Sequence, residues 1–151
     1  MTTEAPKVLA LAYYDGATEG FLNGLGDDRV YFFKVVAWDQ SQDRRLYLLG
    51  EVDKSIYMEL VEILAKTHQP PTGSTWTPAW IFGNPELEAR ANSLVEISRR
   101  SLDTATFLAL GKDLESTVEI VRPSANGLRS AIALAHTSKP GDLADWLAQN
   151  L

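Results

Sequence analysis

The chain has 151 residues, a formal net charge of −6 and no cysteine. A chain of this length is the usual size of one domain and buries about 68–70% of the surface that its unfolded form exposes, so a core can stand without staples. The missing thiols exclude disulfides, thiolate metal sites, iron–sulfur clusters and a cysteine nucleophile, and the acidic balance lacks the clustered Lys and Arg that nucleic-acid binding draws on.

Residues 7–14, KVLALAYY, are rich in Val, Leu and Tyr and stop at Asp15-Gly16. That dipeptide is turn chemistry, because Gly supplies positive φ and Asp bonds its own backbone. A short apolar piece at 19–24 and a second turn, LGDD (25–28), lead into VYFFKVVAW (30–38), the strongest strand signal in the chain. The polar tract DQSQDRR (39–45) separates it from LYLLGEV (46–52). Four consecutive strands with short connections predict an antiparallel meander.

From Ser55 to Thr67 the apolar period changes to about 3.6, with Ile56, Leu60, Ile63 and Leu64 on one stripe. The spacing predicts an amphipathic helix capped by Asp53 or Ser55. The next segment, HQPPTGSTWTPAWIFGNP (68–85), holds four prolines and is no regular helix. It is the candidate for an internal boundary in what is otherwise read as a single domain over 1–151. Its Trp76, Trp80, Ile81 and Phe82 are expected to pack against something.

Asn84-Pro85-Glu86 starts a second helix, expected to run to about Leu102, with Leu87, Ala91, Leu94, Val95 and Leu102 on its apolar face. Glu86 with Arg90 and Glu96 with Arg100 have the favoured i,i+4 order and read as a solvated face. TATFLAL (104–110) and STVEIVR (116–122) are two further strands, the second ended by Pro123. A short helix from about Gly127 to Ala135 follows, then a last helix capped by Asp142, in which Trp146 reads as a core anchor. The expected fold class is therefore α+β: an N-terminal antiparallel meander packed with amphipathic helices, two further strands and two short C-terminal helices, in one sheet or two small ones.

Tests for chemistry return little. His68 and His136 are far apart and neither has a second ligand at helical spacing, so no metal is expected. DQSQD (39–43) begins like a calcium loop, but Arg44 stands where the sharp turn needs Gly and Gly50 where the bidentate Glu belongs. It reads as a solvated hairpin loop. No complete dinucleotide, P-loop or nucleophile-elbow pattern is present, and no cofactor is expected. Pairs among Asp15, Glu19, Asp39, Asp43 and Glu51 are the remaining route to acid–base catalysis, although acids at turns and strand ends are ordinary in an acidic protein.

Nine of the fourteen aromatic residues precede residue 58, and the run Tyr31-Phe32-Phe33 must place aromatic surface on both faces of its strand. The structural reading is a central strand covered by helices on one side and by the 68–85 segment on the other. The functional reading makes that aromatic surface, with Trp76 and Trp80, an interface. The leading expectation is a non-enzymatic binding or regulatory protein acting through a protein interface, as a homodimer or with a partner protein. The alternative is a small-molecule-binding protein or hydrolase with a pocket at the end of the meander. The binding residues expected between these readings are Tyr13, Tyr14, Asp15, Glu19, Trp76 and Trp80. With an acid before the first apolar run and no apolar window of about 20 residues, neither a signal peptide nor a membrane partner is expected, and the protein reads as cytoplasmic.

Overall fold

A computed structural model of the chain describes residues 8–13, 17–23, 28–67, 74–76, 85–114, 118–137 and 139–150. The apolar runs of the first third form β1 (Val8–Tyr13), β2 (Ala17–Asn23), β3 (Val30–Asp39) and β4 (Arg44–Val52), each antiparallel to the next. Helix α1 (Lys54–Thr67) follows, then β5 (Ser74–Trp76) and α2 (Pro85–Arg99), which tightens into a 3₁₀ turn over Arg100–Thr104. The two later strands are β6 (Phe107–Gly111) and β7 (Glu119–Val121), and α3 (Ala125–Ala135), β8 (Gly141–Asp142) and α4 (Leu143–Asn150) end the chain. The α+β class and the meander are as expected from the sequence.

All eight described strands belong to one sheet, in the order β5-β1-β2-β3-β4-β6-β7, with β8 alongside β3. β5 joins β1 and β8 joins β3 in parallel, while every other described pairing is antiparallel. One sheet face carries Leu9, Phe21, Phe32, Leu46, Leu48 and Leu108, and all the helices pack there through Tyr57, Leu60, Leu94, Ala131 and Trp146 among others. The other face carries Val8, Leu22, Tyr31, Phe33, Tyr47 and Leu49, with no helix residue among the described members of that cluster. Phe32 and Phe33 are both fully buried, so β3 is a central strand with apolar surface on each side. The described part of the Trp-Pro segment, Ser74–Trp76, extends the sheet as an edge strand beside β1 rather than lying across a face. The rest of the 68–84 stretch lies outside the described residues.

Local chemistry fixes the helix ends. Asp53 Oδ1 accepts from the Ser55 amide and hydroxyl at 3.0 and 2.8 Å, so Asp53 is the cap of α1. Ser124 Oγ accepts from Gly127 N at 3.3 Å and starts α3 two residues before the expected Gly127. Asp142 Oδ1 accepts from Asp145 N at 3.0 Å and caps α4, and Trp146 is buried as expected. The charges on α2 depart from the i,i+4 expectation. Arg90 reaches across to Glu59 of α1, and Arg99 rather than Arg100 joins Glu96 and also bridges to Glu19 of β2. These cations tie α2 to its neighbours.

Candidate functional site

The strongest strand in the sequence is also the place where the sheet opens. On the side of β3 away from β4, β2 pairs with residues Val30 to Lys34 and β8 pairs with Ala37 and Trp38. Val35 and Val36 fall between the two neighbours. A β-bulge lies at the same point, since Val35 pairs with Tyr47 and Ala37 with Leu46, leaving Val36 as the extra residue. The bulge puts Val36 and Ala37 together in the helix-side core and directs Trp38 to the opposite face, beside Arg45. A cleft of about 1140 Å³ opens at this change of neighbour, lined by Glu19 and Lys34 from the helix side and by Val35 and Trp38 from the other.

Glu19 and Lys34 are directly opposite in the β2–β3 register, on the same face as Phe21 and Phe32. They do not bond to each other. The Glu19 side chain is 12% exposed, and its Oε1 accepts from Arg99 Nε at 3.2 Å and Nη2 at 2.8 Å. The Glu19 carboxylate in turn raises the Arg99 pKa, chiefly through that hydrogen bond. Lys34 Nζ donates to the Ala135 carbonyl at 2.5 Å and lies 3.5 Å from that of Thr137. The ammonium thus sits on the last turn of α3, where carbonyls lack helical partners and the helix dipole is negative.

The rim is built from capping groups. Asp39 Oδ1 accepts from Ser41 N (3.0 Å), Ser41 Oγ (2.7 Å) and Gln42 N (3.3 Å), and the serine hydroxyl bond in particular holds the carboxyl below the usual range. Asp43 takes positive φ (51°) to close this β3–β4 turn, which is the solvated hairpin loop expected of DQSQD. Across the cleft, Thr137 Oγ1 lies 2.7 and 2.8 Å from the Leu134 and Lys139 carbonyls, which share its one proton. Gly141 fits β8 closely against α3, since a Cβ there would stand 3.3 Å from both Leu134 methyl groups. On the far face the Arg45 guanidinium is buried and stacks 4.3 Å from the centre of the Trp38 ring. Burial pushes the neighbouring Tyr47 phenol up to about 12.

The described carboxyls whose pKa departs from its ordinary value, Asp28, Asp39, Asp53 and Glu59, all move down, so each is an anion near neutrality. Of the acids considered for a catalytic pair, Glu19 is held by Arg99, Asp43 lies 3.8 Å from Lys112 and Glu51 lies 3.0 Å from Arg29. No group of three metal-ligating side chains occurs among the described residues.

Of the residues expected at a site, Glu19 lines the cleft. Tyr13 ends β1 and Trp76 ends β5, where it pairs with Ala10, and their side chains lie outside the described set. Tyr14, Asp15 and Trp80 lie outside it altogether. The sequence reading missed Lys34, Trp38 and Asp142, which reach the cleft because a bulge and a two-residue strand bring them there. Comparison with family models, curated proteins and solved structures finds no match for this chain. No helix among the described residues is long and apolar enough to cross a membrane.

Proposed function

We propose that the protein is a binding module whose ligand occupies the cleft between β2 and β8, at the hairpin end of the meander. The observation that carries this reading is the cleft itself, about 1140 Å³ at a break in the pairing of the central strand. Large concave sites with a few placed polar groups are where ligands bind. Binding is favoured over acid–base chemistry because each lining acid already has a structural role: Asp39 is held as an anion by its bonds to Ser41, Glu19 is tied to Arg99, and Asp142 caps α4. The reading includes a cytoplasmic setting, which a chain without cysteine fits.

A screen of small neutral fragments by amide-resolved NMR tests the site on the full chain. Hits are expected to move the amides of Thr18, Lys34, Ser41 and Gly141 together, and Thr18→Trp, which fills the cleft, is expected to abolish them. Hits that avoid these amides, or survive the substitution, would remove the cleft from consideration.

The interface reading, as a homodimer or with a partner protein, draws support from the edge position of Ser74–Trp76, because an edge strand offers unpaired backbone to another chain. Native mass spectrometry of the wild type and Trp76→Ala distinguishes the two modes. An assembly that dissociates in the variant favours the edge, and a monomer in both favours the cleft.

A further inference from the structure

We infer that the cleft takes a short peptide with free termini, bound as a zwitterion. The inference rests on the cleft being a ligand site and adds the class of ligand. Its starting point is the unmade pair at the centre. Opposite charges at directly facing positions of antiparallel strands ordinarily attract, with Cβ atoms about 4.5–5.5 Å apart. Glu19 and Lys34 face each other in this way, yet no ion pair joins them, because each is drawn off to a different helix end. Arg99, at the end of α2, takes Glu19, and the terminal carbonyls of α3 take Lys34. An anion and a cation thereby line the cleft side by side without bonding to each other.

Each keeps bonding capacity that its protein partners do not use. Both Arg99 bonds fall on Oε1 of Glu19, which leaves Oε2 as an acceptor. An ammonium has three donors, and Lys34 directs them at two carbonyls, one as far as 3.5 Å away. The rim repeats the mixture: Asp39 and Asp142 each use only Oδ1 in their caps, and Lys139 makes no ion pair with a described acid.

This distribution selects against ligands of one sign. A polyanion would meet Glu19, Asp39 and Asp142, and a polycation would meet Lys34 and Lys139. A molecule carrying an ammonium and a carboxylate satisfies both sides, its ammonium toward Glu19 and its carboxylate toward Lys34. The volume exceeds the range of about 300–1,000 Å³ usual for small-ligand pockets, and Val35, Trp38 and Pro140 add apolar lining to the same cleft. A peptide of a few residues with an apolar side chain has that outline, whereas a single amino acid leaves most of the cleft empty.

The test is an NMR titration of the full chain with the tripeptide Ala-Leu-Ala, its N-acetylated form and its C-amidated form. The free peptide is expected to give saturable shifts at Thr18, Glu19, Lys34, Ser41 and Gly141, and each blocked form is expected to bind about tenfold more weakly. Glu19→Gln keeps an acceptor for Arg99. It is expected to weaken the free and amidated peptides and leave the acetylated one unchanged. If blocked peptides bind at these residues as well as the free one, the zwitterion inference fails and the cleft stands. If the free peptide gives no saturable shift while neutral fragments do, the inference again fails alone. Silence from both peptides and fragments sinks the inference and the cleft reading together.

Discussion

At Gly50 a hydrogen stands where any other residue would place a carbon 2.4 Å from the backbone C and O of Ser101. The glycine lies on the helix-side face of β4 and lets the 3₁₀ turn Arg100–Thr104 press onto the sheet. That turn carries Leu102 into the core and Asp103 to within 2.7 Å of His136 Nε2 at the end of α3. The Ser101 hydroxyl oxygen, also 2.4 Å away, could rotate aside, but the backbone C and O could not. Gly50→Ala is therefore expected to destabilise the protein by about 1–3 kcal/mol, the range for overpacking a closely fitted site. Urea unfolding of the variant against wild type measures it, and a difference below about 0.5 kcal/mol would show that the turn yields freely. Such close approaches are invisible in the sequence, where Gly50 resembled a failed calcium ligand. The partner that gives it meaning, Ser101, is fifty-one residues away.

At the scale of elements, legibility followed length. β3 and β4 were readable because ten and nine residues hold near-continuous runs of β-branched, aromatic and leucine side chains bounded by turn residues. Helix α1 was readable from its stripe, although Tyr57, fully buried and 5.6 Å from the Phe21 ring, was left off it. β5 and β8, of three and two residues, contain no period to detect. Their strand geometry comes from the neighbours they join. The candidate site inherits this asymmetry: Glu19 lies on a readable strand, but the opposite wall depends on β8, more than a hundred residues further on. Caps are the local signals that survive in short elements, and α3 offers a clean case. Its sequence signature is Ser124 three residues before Gly127, one residue ahead of the helix's first position, Ala125. Ser124→Ala removes the acceptor of the Gly127 amide and is expected to cost about 1 kcal/mol. Ser124→Asp, which restores an acceptor, is expected to recover most of it. Thermal unfolding of both variants checks the cap, and equal losses in Ala and Asp would assign the effect to something other than that bond.

For the whole molecule, the sheet divides the apolar interior into two compartments, and a buried tyrosine marks each one. Tyr57 sits between sheet and helices, and Tyr47 sits on the opposite face, 5.8 Å from the Phe33 ring. Burial raises both phenols to about 12 against an ordinary value of 10.0. A folded-state pKa above the unfolded one means that the native protein holds its proton more tightly. The resulting stability is complete below pH 10 and is lost as the pH rises from 10 through 12. The melting temperature should thus stay level up to about pH 10 and then fall steeply, with phenolate absorbance appearing as the structure is lost. Tyr47→Phe and Tyr57→Phe are each expected to make that fall shallower, and the double variant shallower still, because phenylalanine has no proton to lose. The pair also tests coupling between the compartments. If the central strands bind both faces into one cooperative unit, each single variant should shift one common unfolding transition. Separate transitions reported by the two tyrosines would mean that the faces of the sheet come apart independently.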